Sequence, residues 1–343
     1  MALSSRTKAP DEKLGSKKSR LVKVVIILIL LALVYSAGWF AAANYATTKL
    51  EHAFDGDNPL ASALDCPGMR MSGFPLHIGL NCNKVPINDR RNGITGSFGA
   101  FRSTAEIFRP GKIKWEIDGP AILQTSTGLA GSFQWESLRS SLSLGMNGID
   151  SSATTVHTLQ ANLTDAVSGR VLRIDAADGR GRLQRDGEDL VGTARFSGMN
   201  FGQDDRNPNL PAMAAQIDLK LLGQAGALEI DHPEPIKLRG LSGEIRDLQI
   251  DMGQGRTIKA TGPISIDNST GLASGTLKLE ISKVDAWRDL VIAAYPDTRD
   301  IAKLAAKGLK AAFLGQNSGQ VTLQITNGVV VLGFIPLGNI PPI

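Results

Sequence analysis

The chain has 343 residues, 37 of them glycine, with 5% aromatic residues and a formal net charge of +4. A glycine share above the usual level of roughly 7%, with few aromatics, suits many short strands joined by tight turns and weighs against an all-helical fold. The positive balance does not point to nucleic acid: residues 1–23 carry seven Lys and Arg against Asp11 and Glu12, a net of +5, so the rest sums to −1 and has no basic stripe to neutralise phosphates.

Residues 1–20 are polar, charged and rich in serine, and read as a disordered basic tail. Residues 24–43 carry no formal charge for twenty positions, which at 1.5 Å rise matches the roughly 30 Å hydrocarbon core and predicts a transmembrane helix over 21–45. Ala41 and Ala43 resemble a signal-peptidase site, but a secretory apolar region is only about 7 to 15 residues long, so a retained anchor is expected. Basic residues crowd the N-terminal flank, which places that side in the cytoplasm and residues 46–343 outside, in the periplasm of a bacterial cell. Tyr35, Trp39 and Tyr45 sit at the far end, where amphipathic rings favour the headgroup layer.

The two cysteines, Cys66 and Cys82, are 16 positions apart, a spacing suited to a disulfide that closes a short loop. Such a bridge stabilises by about 3 kcal/mol in the loop-entropy account and persists in an oxidising compartment. The competing reading is two unrelated buried thiols. A zinc site is not expected, because four ligands are needed and His77 brings the local set to three at best.

Beyond the cysteines, apolar and polar residues alternate at period two. Ile113, Trp115 and Ile117 form one such run, followed by Leu159, Ala161 and Leu163, then Ile217, Leu219 and Leu221. Leu277, Leu279 and Ile281, then Val321, Leu323 and Ile325, complete the set. Asp186-Gly187 and Asn327-Gly328 read as hairpin turns that require positive φ. Residues 285–314 change to helical spacing, with Tyr295, Pro296 and Asp297 separating two helices and Asp297 as the expected N-cap. The expected fold is mainly β: an antiparallel curled sheet or sandwich with a short helical insertion, preceded by one transmembrane helix.

No catalytic, cofactor or metal motif is present. His52, His77, His157 and His232 are scattered and lack partners at ligand spacing. The acidic pairs Asp204-Asp205 and Glu188-Asp189 read as turn residues, and the segment from Gly179 to Gln184 lacks the spacing and the following helix of a phosphate loop. An enzyme is not expected. Strands with one apolar face and few covering helices leave that face to another sheet, to its own curling or to a ligand such as an acyl chain.

The Trp39–Phe54 stretch, Cys66, Gly73-Phe74-Pro75, Cys82, and Phe108-Arg109-Pro110 ahead of Gly119-Pro120 resemble the bacterial family catalogued as domain of unknown function 2125. That resemblance implies membrane anchoring and an extracytoplasmic β domain, without an activity. The C-terminal strands, helical pair and closing NGVVVLGFIPLGNIPPI look like the end of AsmA-type envelope proteins, which implies lipid contact. The function expected from all of this is non-enzymatic binding of lipid or another hydrophobic envelope component, with assembly of envelope proteins through sheet edges as the alternative.

Overall fold

The computed structural model describes residues 15–55, 65–89, 93–146, 148–203, 210–229, 234, 236–333 and 335–343. Most of the tail expected over residues 1–20, together with Asp204-Asp205 and His232, lies outside them. The chain opens with helix α1 (Gly15–Asp55), which runs ten residues beyond the apolar segment Val22–Tyr45. No breaker interrupts residues 44–54, so the helix continues.

The rest of the described residues form one antiparallel sheet that does not close, with a 3-10 turn at Ala225–Leu228 and one α-helical insertion. Strand β1 (Arg70–Ser72) pairs with β2 (His77–Cys82). Four long strands follow, each broken in the middle: β2 continues as β3 (Val85–Asp89), β4 (Ile94–Phe98) as β5 (Phe101–Glu106), β6 (Arg109–Ile117) as β7 (Ala121–Thr125), and β8 (Leu129–Gln134) as β9 (Ser137–Gly145). One half of each pairs in the order β2-β5-β6-β9, the other in the order β3-β4-β7-β8. Both halves meet on the same edge of β10 (Gly148–Asp165), which pairs with β9 through its first part and with β8 through its last.

The breaks form a crease across the sheet. It runs from Cys82/Val85 through Gly99, the cis Gly119-Pro120 bond and Trp135 to Thr158, where φ is +54°, and on to Gly198 at +61°. Backbone bonds hold its sides together: Asp118 N–H donates to the Ala100 carbonyl at 2.8 Å, and Glu136 N–H to that of His157 at 3.0 Å. The Trp135 indole adds a bond to the Ile117 carbonyl at 2.8 Å. At Gly99 a Cβ would stand 2.7 Å from the Asp118 carbonyl oxygen, closer than real Cβ atoms come, so only glycine lets the strands approach there.

From β10 the sheet grows hairpin by hairpin through β11 (Val171–Asp186), β12 (Asp189–Gln203), β13 (Met213–Leu221), β14 (Ser242–Asp251), β15 (Thr257–Ile266) and β16 (Ala273–Ile281). Helices α2 (Val284–Ala294) and α3 (Arg299–Ala312) then interrupt it, and β17 (Gly319–Thr326), β18 (Val329–Leu332) and β19 (Ile335–Asn339) finish it. β17 returns to pair with β16, so the helical pair is an excursion from one hairpin. The Asn327-Gly328 turn forms as expected, both residues with positive φ. At the other predicted turn the two central residues are Gly187 and Glu188, because Asp186 is still paired with Asp189. The expected cap Asp297 instead lies in a short 3-10 turn, and Thr298 holds the N-cap position of α3.

One layer of sheet cannot bury much. The chain exposes 22517 Å², whereas a compact monomer of 36.4 kDa exposes about 13,500 Å² by the usual scaling. The buried clusters are small and local. One sits at the Cys66–Cys82 bridge with Val85, one joins α2 and α3 to β16, and one gathers Ala273, Leu277 and Ile325.

Candidate functional site

Cross-strand partners in an antiparallel sheet project to the same side. Following the register from β2, one row of partners reads Cys82, Phe101, Ile117, Leu138 and Val156. It continues as Gly179, Phe196, Ala215, Ile250, Ile258 and Ile281. No polar side chain breaks this row over eleven strands. The row four residues away, through Ala105, Ile113, Leu142, Ser152, Leu183 and Gly192 to Leu219 and Ile245, is apolar but for one serine, and the row between them carries Ser103, Ser140 and Thr154 before it turns apolar at Ala194, Ile217 and Leu248.

The opposite face is its inverse. Arg102, Glu116, Arg139, Thr155 and Arg180 form a continuous row, extended by Arg195, Gln216, Gln249, Lys259 and Glu280. Arg102 grips Asp118 with two bonds of 2.8 and 2.5 Å, and Arg139 reaches Glu116 at 3.2 Å. The bond from Arg102 holds the Asp118 carboxyl below the usual carboxylate range.

The apolar face is the inside of the fold. Across the crease Cys82 and Val85 share one buried cluster with Phe98 and Phe101, two residues from each arm. Side chains also converge there: a Cβ on Gly179 would stand 2.6 Å from both Val156 and Phe196. The second arm keeps the same polarity, with Phe133, Ala161, Ile174 and Phe201 as successive partners.

Among the described residues, the ends of the apolar face are covered and its middle is not. At the far end α2 and α3 lay Val284, Ala306 and Phe313 on Ile281, with Ile258 and Val321 packed around them. Lys310 and Arg288 bind the Asp285 carboxylate at 2.9 and 2.7 Å and hold its pKa down. Ile340, after β19, packs beside Leu277 and Leu323. Between these caps and the disulfide cluster, Leu138, Val156, Phe196, Ile217 and Leu219 are only half-buried. With strands about 4.8 Å apart this uncovered stretch is roughly 40 Å long, more than the ~15 Å of one bilayer leaflet's hydrocarbon.

The near end carries the apolar helix. Trp39 of α1 is buried against the sheet, donates its indole N–H to the His77 carbonyl at 3.1 Å, and packs edge-on against Phe74 with centroids 5.4 Å apart. Phe40 stacks on the same ring at 5.6 Å, and the Tyr35 hydroxyl donates to the Pro75 carbonyl. Gly73-Phe74-Pro75 is thus the seat of α1. Gly73 has φ +105°, and a Cβ there would meet the His77 backbone at 2.8 Å. Exposed Phe74 and Leu76 form a lip, extended by Phe108, which is 79% exposed and follows the Ile107 N–H to Leu76 carbonyl bond of 3.1 Å.

Cys66 and Cys82 are disulfide-bonded, with Cα atoms 5.5 Å apart. The bridge ties the segment entering the sheet to β2, behind the lip. The histidines do not gather: His77 is on β2, His52 on α1 and His157 on β10. His157 Nδ1 lies 2.6 Å from Asp178 Oδ1, a cross-strand pair 21 residues apart that no local motif announces. Both side chains are about half exposed, and among the described residues no third group is seen to complete a catalytic set. Nor do three His, Cys, Asp or Glu side chains converge as a metal site among the described residues. Asp189 belongs to a surface network, with Lys220 at 2.8 Å and the Gly223 N–H holding its carboxyl below the usual range.

No curated protein and no solved structure matches the chain. A family model does, over residues 39–341, a span that takes in the α1 seat, the disulfide, the creased sheet and the helical cap. The chain belongs to the bacterial family described as "Uncharacterized protein conserved in bacteria (DUF2125)".

Proposed function

We propose that the protein is anchored in the bacterial inner membrane by α1, with its N-terminus cytoplasmic, and that its periplasmic sheet binds lipid or another hydrophobic envelope component along the apolar face. The reading rests above all on the uninterrupted apolar row from Cys82 to Ile281, on a face whose middle none of the described residues covers. Acyl chains suit such a face, because each CH₂ removed from water contributes about 0.8 kcal/mol.

Anchoring is supported by the 24-residue apolar stretch Val22–Tyr45, whose side chains are exposed over Val24–Val34, and by the basic residues that precede it. Its Tyr35, Trp39 and Phe40 meet the Gly73-Phe74-Pro75 loop at headgroup level, which opens the apolar face beside the bilayer. The resemblance of the C-terminal region to AsmA-type proteins points to the same role in membrane homeostasis or transport. The mechanism is binding rather than catalysis.

Docking of envelope proteins through sheet edges is the weaker reading. Among the described residues the edge strands are β1, β3 and β19: β1 is only three residues long, β3 and β19 carry Pro86 and Pro336, and both shortness and proline blunt strand addition at an edge.

The test is mass spectrometry of organic extracts from residues 46–343, purified without detergent from an oxidising compartment beside an unrelated control. A lipid at about one equivalent per chain, absent from the control, is expected. A folded, disulfide-bonded domain that neither carries lipid nor takes it up on addition contradicts the reading.

A further inference from the structure

Helix α3 has three stripes, of which packing against the sheet uses one. Ala306, Leu309 and Phe313 face the core. Ile301 and Leu304, each 73% exposed, form a second stripe with Ala305 and Ala311 at helical spacing, and touch nothing that would remove them from water. Arg299, Lys303 and Lys307 recur every four residues and form the third, beside the second. Among the described residues none of these three has an acidic partner; the neighbouring Lys310 and Arg288 are taken by Asp285 and Asp289. A hollow of about 660 Å³ between α2 and α3 is lined by Arg288, Arg299, Lys303 and one acid, Asp289, over Ile292 and Pro296.

Exposed apolar side chains flanked by unpaired Lys and Arg on one helix match what an anionic bilayer surface covers: the apolar stripe enters the headgroup layer while the cations meet phosphates. We propose that α3 docks on the surface of a second, anionic bilayer facing the one that α1 crosses, with Ile301 and Leu304 dipping in and Arg299, Lys303 and Lys307 on the headgroup phosphates. That this bilayer is a second one is part of the proposal, and the placement of the two helices supports it. α1 seats at β2, α3 covers β16, and the ten strand intervals between them along the row amount to roughly 48 Å. The docking rests on the proposed anchoring for its geometry and is independent of what the groove holds.

The test places the full chain in nanodiscs of neutral phosphatidylcholine and adds fluorescent vesicles of phosphatidylcholine and phosphatidylglycerol in about a 2:1 ratio. Co-elution of chain and nanodisc reports the anchor, and vesicle capture reports α3, so the two readings fail separately. Capture is expected, and is expected to fall at least about tenfold with purely neutral vesicles, with Lys303→Glu/Lys307→Glu and with Ile301→Asp/Leu304→Asp. Val167→Asp, at an exposed turn between β10 and β11, is expected to capture as the parent does. All four substituted positions on α3 are solvent-exposed, so unchanged melting checks that each variant is folded. Absence of capture by the anchored parent, capture that ignores anionic lipid, or undiminished capture by both α3 variants overturns the proposal.

Discussion

Replacing Ile217 by Arg is expected to reduce the lipid retained by the domain at least about tenfold, whereas Gln216→Arg, one residue away, is expected to change nothing. The two positions lie on opposite faces of β13. Ile217 sits between Ala194 and Leu248 in the uncovered part of the apolar face, and Gln216 between Arg195 and Gln249 in the polar row. A guanidinium among acyl chains costs about 2.5 to 3.5 kcal/mol where it cannot reach water, and escape along the groove wall relieves part of that. On the outer face the new charge joins an already solvated row. Equal loss in both variants would mean general damage to the sheet, and no loss in Ile217→Arg would remove the apolar face from the function.

Phe313→Ala is expected to destabilise the domain by about 3 to 4 kcal/mol, read as a lower urea midpoint. The side chain is buried where α3 ends, between Val284, Ala306 and Ile281, and its ring lies so close to Gly319 that a Cβ there would stand 2.5 Å from it. Truncation leaves a void that neither the helix nor the strand can close. Its neighbour Leu314 is 92% exposed, so Leu314→Ala serves as the control, with an expected effect below about 0.5 kcal/mol. A Phe313→Ala loss under about 1 kcal/mol would show that the helical cap is not fixed to the apolar face in the way described. The variant is also expected to keep its disulfide, which belongs to a separate cluster at the other end of the sheet.

Much of the architecture is written in the alternation. The strands through Trp115, Ala161, Leu219, Leu279 and Leu323 are all present, and their apolar residues all face inward. The change to helical spacing after Lys283 marks α2 and α3 correctly, because two apolar stripes at period 3.6 have no use in a strand. The single sheet, rather than a sandwich, is not legible from alternation, which identifies an inner face and says nothing of what covers it.

The crease is where local reading stops. Phe98 and Phe101 are three apart, as are Cys82 and Val85, and strict alternation would send each pair to opposite faces. An extra residue at the break resets the phase, as a bulge does, and keeps both members inside. In β10 the same slip at Thr158 puts Val156 and Ala161 on one face although they are five apart. Glycine and proline around Gly99 and Gly119-Pro120 hint at breaks, but only pairing shows that the breaks line up. The His157–Asp178 contact is invisible for the same reason, since it depends on register. Asp297 fails as the cap because Pro296 starts a 3-10 turn that delays α3 by one residue.

The measurement that bears most directly on the central claim is site-specific photo-crosslinking in the full chain, with a photoreactive side chain placed in turn at Val156, Phe196, Ile217 and Leu219 inside and at Thr155, Arg195, Gln216 and Lys220 outside. Lipid adducts at the four inner positions, and none at the four adjacent outer ones, are the predicted result across the middle of the uncovered stretch. Adducts equally frequent on both faces, or absent from the inner face while protein adducts form there, would contradict it.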